Sequence, residues 1–180
     1  AKALRNDTAR MIDLHDVRLT DELRSQLAGL RQVHWLRLSA GVTSADLAWL
    51  GRMRQIRGLG LTHVDLTEGD FQALAAINSL QWLTLAQAKM SPKDFSTLPR
   101  LEKLQTLWLS GHQVTDAYLE HLAEIKLPSL LSLGLYYTSV TDAGMKRLCE
   151  TYDLEYLDFY SSEQVTEESI PAIARMRGLR

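Results

Sequence analysis

The feature that most constrains this chain is a pair of apolar residues separated by one position, which returns seven times. It reads Ile12-x-Leu14, Leu36-x-Leu38, Leu59-x-Leu61, Leu83-x-Leu85, Leu107-x-Leu109, Leu133-x-Leu135 and Leu157-x-Phe159, at intervals of 24, 23, 24, 24, 26 and 24 residues. Alternation with a period of two marks a strand that buries one face. A repeat of this length holds one short strand and one helix or helical turn. A single unit of that size cannot bury its own apolar wall, so such units stack into a solenoid.

A second series runs in step with the first and places apolar residues three apart before each strand. It comprises Leu47, Leu50, Met53 and Ile56; Phe71, Leu74, Ile77 and Leu80; Phe95, Leu98, Leu101 and Leu104; and Leu119, Leu122 and Ile125, followed by Leu130. This predicts a short helix in each unit with its inner side towards the strand. Leu127 and Pro128 lie in the 26-residue unit, which predicts a loop there. Thr43, Thr67, Ser91, Thr115, Thr141 and Thr166 each follow an apolar residue at the expected helix start, and Thr20 occupies the same place in the first unit, with Arg24 in place of an apolar residue. A hydroxyl there accepts from a helix N–H that otherwise lacks a partner. Asp46, Asp70 and Asp94 stand where the acid of a capping box belongs, and Pro92 follows Ser91 where a missing N–H costs least. These hydroxyls therefore have a structural task and no paired base. Asp116 and Asp142 read as favourable charges near helix N-termini, not as metal ligands.

Composition narrows the functional classes. The chain has 180 residues, with 20 Lys and Arg against 22 Asp and Glu, and no basic run gives a phosphate backbone a footprint, so nucleic acid is not the expected partner. One cysteine, Cys149, excludes an intrachain disulfide framework and a cysteine-based zinc cluster, and its place at the end of a helical stretch predicts a buried thiol. No apolar run approaches the roughly 18 residues of a membrane span, and no apolar N-terminal stretch reads as a secretory signal. A cytoplasmic location is expected, with no cofactor and no metal.

The phrases VTDAYLEHL at 114–122 and VTDAGMKRL at 140–148 resemble the V/I-T-D-x-G-L-x-x-L phrase of leucine-rich-repeat proteins of the ribonuclease-inhibitor-like and F-box-associated kinds. The resemblance extends over residues 9–180. It implies an α/β fold: a right-handed leucine-rich-repeat solenoid with a parallel concave sheet and convex short helices. Residues 9–180 are then one domain of about seven repeats whose C-terminal unit is incomplete, and residues 1–8 are an N-terminal tail or the remnant of a cap. The chain departs from the cysteine-containing subclass by placing Ala28, Arg52, Ala76, Arg100 or Glu124 near the helix ends. No catalytic residue of the family matches any position, so the expectation is a non-catalytic module for protein binding.

Within each strand the residues flanking and separating the apolar pair face away from the core. Those just before it are Met11, Trp35, Gly58, Trp82, Thr106, Ser132 and Tyr156. Those between are Asp13, Arg37, Gly60, Thr84, Trp108, Gly134 and Asp158, and those just after are His15, Ser39, Thr62, Ala86, Ser110, Tyr136 and Tyr160. Three of the four tryptophans and three of the six tyrosines fall in these columns, with Tyr137 beside them. A core already filled by leucine does not need them, and exposed aromatics of this kind are what binding hot spots are made of.

The expected site therefore comprises Trp35, Arg37, Gly58, Gly60, Trp82, Trp108, Tyr136, Tyr137, Tyr156, Asp158 and Tyr160, with a protein or extended peptide as partner. Trp35 and Trp82, two strands and so about 10 Å apart, are expected to wall a slot whose floor is bare at Gly58 and Gly60. Arg37 and Arg57 flank that slot and suit an acidic group or a cation-π contact. The alternative is that Trp35 or Trp82 lies flat and seals the sheet. Trp108, Tyr136, Tyr137, Tyr156 and Tyr160 predict a broader platform, with a dip at Gly134. His15 beside Asp13 and Asp16 is the most enzyme-like cluster but has no nucleophile. A second reading is a structural or assembly subunit, a homo- or hetero-oligomer formed through uncapped solenoid ends and convex helices. The terminal series Ile170, Ile173, Met176 and Leu179, which shows no polar cap, motivates it.

Overall fold

Seven strands form where the spaced pairs fall: β1 Met11–Leu14, β2 Trp35–Leu38, β3 Gly58–Thr62, β4 Trp82–Ala86, β5 Thr106–Ser110, β6 Ser132–Tyr136 and β7 Tyr156–Asp158. The computed structural model describes residues 11–180, so the expectations for residues 1–8 and for the start of the domain at residue 9 lie outside the described residues. The strands make one parallel sheet in chain order. The register follows the pairs, with Leu36 opposite Leu59, Leu59 opposite Leu83, Leu83 opposite Leu107 and Leu107 opposite Leu133. This is the leucine-rich-repeat architecture: every unit adds one parallel strand and returns through one helical crossover.

The helices are α1 Asp21–Ala28, α2 Ser44–Leu50, α3 Glu68–Leu74, α4 Pro92–Phe95, α5 Asp116–Ile125, α6 Asp142–Thr151 and α7 Ile170–Ile173, the last preceded by a 3-10 turn over Glu167–Ser169. Their inward residues and the strand leucines form one core. Three aromatics run through it from unit to unit: Phe71 lies edge-on to Phe95 with centroids 5.7 Å apart, and Phe95 lies 5.1 Å from Tyr118. The buried Tyr118 hydroxyl donates to Met90 O at 2.7 Å, which removes the cost of an unpaired phenol in that core. Trp49 packs partly buried against the core from the helical side.

All seven predicted caps stand at helix or 3-10 N-termini in extended backbone, and the hydroxyls of Thr20, Thr43, Ser91, Thr141 and Thr166 accept from a first-turn N–H, whereas that of Thr115 does not. Asp46, Asp70 and Asp94 accept from the cap N–H of Thr43, Thr67 and Ser91 at 2.9, 2.8 and 3.2 Å. Arg24, which breaks the apolar series, reaches the next unit and pairs with Asp46. Asp116 and Asp142 do more than complement helix dipoles. Asp116 accepts from Thr141 N at 2.8 Å and Thr141 Oγ1 at 2.6 Å, and Asp142 accepts from Thr166 N at 2.9 Å and Thr166 Oγ1 at 2.7 Å. Each carboxylate thus ties its own helix start to the next unit's. The extra residues of the longest unit lie in the connection after α5, 126–131, against 152–155 after the equally long α6, and Lys126 turns the chain there with φ 52°.

A bend follows each strand, and five non-glycine residues hold it in the left-handed region: Asp16, His63, Gln87, Tyr137 and Ser161, with φ between 51° and 60°. Tyr137 therefore leaves the strand ladder immediately after Tyr136. At β7 the pattern loosens: Leu157 and Phe159 are half-buried where their counterparts in β2–β6 are buried, and Ile170 of α7 is exposed. Arg180 N donates to Glu155 O at 3.1 Å.

Candidate functional site

The open face of the sheet carries the site residues in three groups. In the first, glycine governs the position of an indole. Trp35 does not stand as a wall: a Cβ on Gly58 would overlap its Cδ1 and Nε1, and one on Gly60 would lie 2.8 Å from its Cη2. The ring therefore lies across the two β3 glycines. This corrects the expected bare-floored slot. Two missing side chains leave a trough, and the neighbouring indole fills it because that removes apolar surface from water. Arg37 lies 5.9 Å over the Trp35 ring and pairs with Asp13 at 3.1 Å. It is engaged within the sheet and offers less to a partner than its column position suggested.

The second group is a continuous chain of edge contacts. Trp82 meets Trp108 with centroids 5.1 Å apart at 65°, and Trp108 meets Tyr136 at 5.5 Å and 83°. Gly134 is no dip either: a Cβ there would sit 2.8 Å from Trp108 Cδ1 and 2.9 Å from Tyr136 Cε2. Trp108 and Tyr136 are half-buried, whereas Trp82 is exposed and its Nε1 donates to Thr84 Oγ1 at 3.2 Å. Trp108 Nε1 is buried and has no hydrogen-bond partner among the described residues. Tyr136 and Tyr156 both donate to Asp158 Oδ2, at 3.0 and 3.1 Å, and Tyr160 N donates to Asp158 Oδ1 at 3.0 Å. Burial first, then the Asp158 carboxylate, pushes the Tyr136 hydroxyl up to about 12, so it remains a donor at neutral pH. The hydrogen bond to Asp158 raises Tyr156 in the same way.

The third group, Tyr137 and Tyr160, stands apart from that chain. Its rings meet edge-on at 5.7 Å, and both residues are exposed. Between the first and second groups lies an open cleft of about 270 Å³. It is lined by Trp35, Gly58, Trp82 and Thr106, the first residues of β2–β5, with the Trp35 ring lying flat, and by His34, Arg57, Gln81 and Gln105 along its rim. The rim column stands one residue before each strand, and extending the strand register by one position would have found it.

Two other candidates lose their motive. Asp13, the supposed partner of His15, accepts from His15 N at 3.0 Å and pairs with Arg37, while His15 Nε2 lies 3.4 Å from Asp16. Cys149 is half-buried, less than expected, in a helix-side hollow beside Lys146 and Arg175. Burial pushes its thiol up, away from the thiolate that nucleophilic chemistry needs. Among the described residues no group of three or more His, Cys, Asp or Glu is arranged to hold a metal, and no helix is long and apolar enough to cross a membrane.

No family model and no curated protein matches the chain. Among solved structures it is similar to an internalin from Listeria monocytogenes strain 4b F2365, with 16% identity and a TM-score of 0.42, over 98% of this chain and 62% of that one. The chain thus spans less than two thirds of that internalin. The parallel register of the seven strands and the helical crossovers between them define the fold independently of that likeness.

Proposed function

We propose that this chain is a non-catalytic interaction module that holds a protein or an extended peptide on the open face of its sheet. The observation that carries the reading is the contact chain Trp82–Trp108–Tyr136, placed on the side of the sheet away from the leucine core. Its Trp82 and Tyr136 tips are satisfied by neighbours on the same face, so a partner meets fixed rings and little ordering entropy opposes binding. Large rigid aromatics are the side chains that most often dominate binding energy. The V-T-D-A phrases at 114–117 and 140–143 favour the ribonuclease-inhibitor-like class among leucine-rich-repeat proteins.

Affinity capture from the native extract tests the reading, comparing the parent with a Trp82→Ala, Trp108→Ala, Tyr136→Ala variant whose fold is verified by circular dichroism. Truncating a hot-spot aromatic costs about 2 kcal/mol or more, so the triple variant is expected to bind the recovered partner at least tenfold more weakly. A Lys146→Ala, Glu150→Ala variant on the helical side is expected to bind as the parent does. Equal retention by the parent and the aromatic variant, with loss in the helical one, overturns the reading.

A further inference from the structure

The cleft between Trp35 and Trp82 has a polar rim whose groups differ in what they leave free for a ligand. Its rim backbone is closed on itself: Arg57 O accepts from Gln81 N at 2.7 Å and Trp82 N at 2.9 Å, and Gln81 O accepts from Gln105 N at 2.8 Å and Thr106 N at 3.0 Å. Trp82 Nε1 is committed to Thr84. Recognition therefore falls to the rim side chains. The Gln55 amide is tied to Leu30 O at 3.2 Å and the Gln113 amide to Ala88 O at 2.7 Å, whereas the amides of Gln81 and Gln105 carry no such bond among the described residues. Arg57 is exposed and forms no ion pair with a described carboxylate, in contrast to Arg37 on β2, which holds Asp13. No Asp or Glu lines the cleft.

Arg57, Gln81 and Gln105 each stand one residue before successive strands, whose backbones repeat at about 4.8 Å, and all three line the cleft. A guanidinium takes a carboxylate through two parallel N–H bonds, and a primary amide pairs with a peptide group through one donor and one acceptor. Indole faces beside these groups accept the aliphatic part of a side chain. We infer that the cleft takes an acidic residue of the partner's chain, its carboxylate on Arg57 and its flanking peptide groups on Gln81 and Gln105, with the side-chain stem against Trp82. This rests on the face being the working surface, and it adds which chemistry enters where.

A displayed library of random twelve-residue peptides, selected on the immobilised parent and on Arg57→Gln, tests the inference. The parent is expected to enrich peptides containing Asp or Glu, and Arg57→Gln is not. The strongest such peptide is expected to bind Arg57→Gln at least tenfold more weakly, and its own Asp or Glu changed to Asn or Gln costs as much on the parent and nothing further on Arg57→Gln. Binders without acidic enrichment, or equal affinity for Arg57→Gln, overturn the inference. If those binders are still weakened by the Trp82→Ala, Trp108→Ala, Tyr136→Ala changes, the face remains the working surface and only the acidic assignment falls; if they are not, both fall. Failure to enrich any peptide also overturns it, and glucuronic acid shifting the Trp35 and Trp82 indole resonances in that case reassigns the cleft to a sugar acid.

Discussion

Phe95→Ala is expected to lower the unfolding free energy by about 3–5 kcal/mol, the range for removing a buried aromatic ring. Typical domain stability is about 5–15 kcal/mol, so the loss is a large part of the whole. The size of the effect follows from the shortness of α4, which has only four residues, Pro92–Phe95. A helix of that length has almost no stability of its own, and its docking depends on what it buries. Phe95 is its fully buried residue and touches Phe71 of the preceding unit and Tyr118 of the following one. In a solenoid each unit is held by its neighbours, so an empty site here weakens both interfaces. Urea unfolding of the parent and the variant measures the difference. Ile170→Ala, at a side chain already largely exposed, is the comparison and is expected to change stability by about 0.5 kcal/mol or less. A loss below about 1 kcal/mol for Phe95→Ala would mean that the aromatic row does not bind the units together.

Gly58→Ala is expected to destabilise the fold by about 1–2 kcal/mol and to drive the Trp35 indole off β3. Two effects oppose each other. Alanine in a strand is favoured over glycine by about 0.5–1 kcal/mol because less chain entropy is lost. Against this, the new Cβ overlaps Trp35 Cδ1 and Nε1, so the ring must leave its seat and expose surface, at a cost of about 1–3 kcal/mol. The second term is larger and sets the sign. Tryptophan emission is expected to shift to longer wavelength in the folded variant, with its secondary structure intact. Unchanged emission together with a gain in stability would show that the ring does not rest on Gly58. The same variant alters the cleft that Trp35 and Trp82 share, so it also connects sheet packing to binding.

The scaffold was legible in the sequence because burial on this fold is periodic. The spaced leucine pairs mark strands, the three-residue series marks inner helix faces, and each Thr or Ser cap marks where a helix begins. Which residues share the open face followed from alternation alone. How those residues sit did not. Gly58, Gly60 and Gly134 read as gaps in a column, yet a gap beside a large ring becomes its seat, so Trp35 lies flat and Trp108 leans over β6. Arg37 read as suited to an acidic group or a cation-π contact, and it makes both within the sheet, with Asp13 across the register and with Trp35. Asp116 and Asp142 read as local helix charges, but their bonds run to the next unit, a distance in sequence that local reasoning does not span. Gln81 and Gln105 are not legible as site residues, because a polar residue before a strand looks like any turn residue until the units are stacked.

The measurement that tests the account most directly is the response of the four indole N–H resonances when the captured partner is added to the ¹⁵N-labelled chain. Trp35, Trp82 and Trp108 report on the open face, and Trp49 reports on the helical side. Trp82 and Trp108 are expected to shift or broaden while Trp49 stays in place. A response confined to Trp49, with the three face indoles unmoved, would place the partner on the helices and contradict the open-face reading.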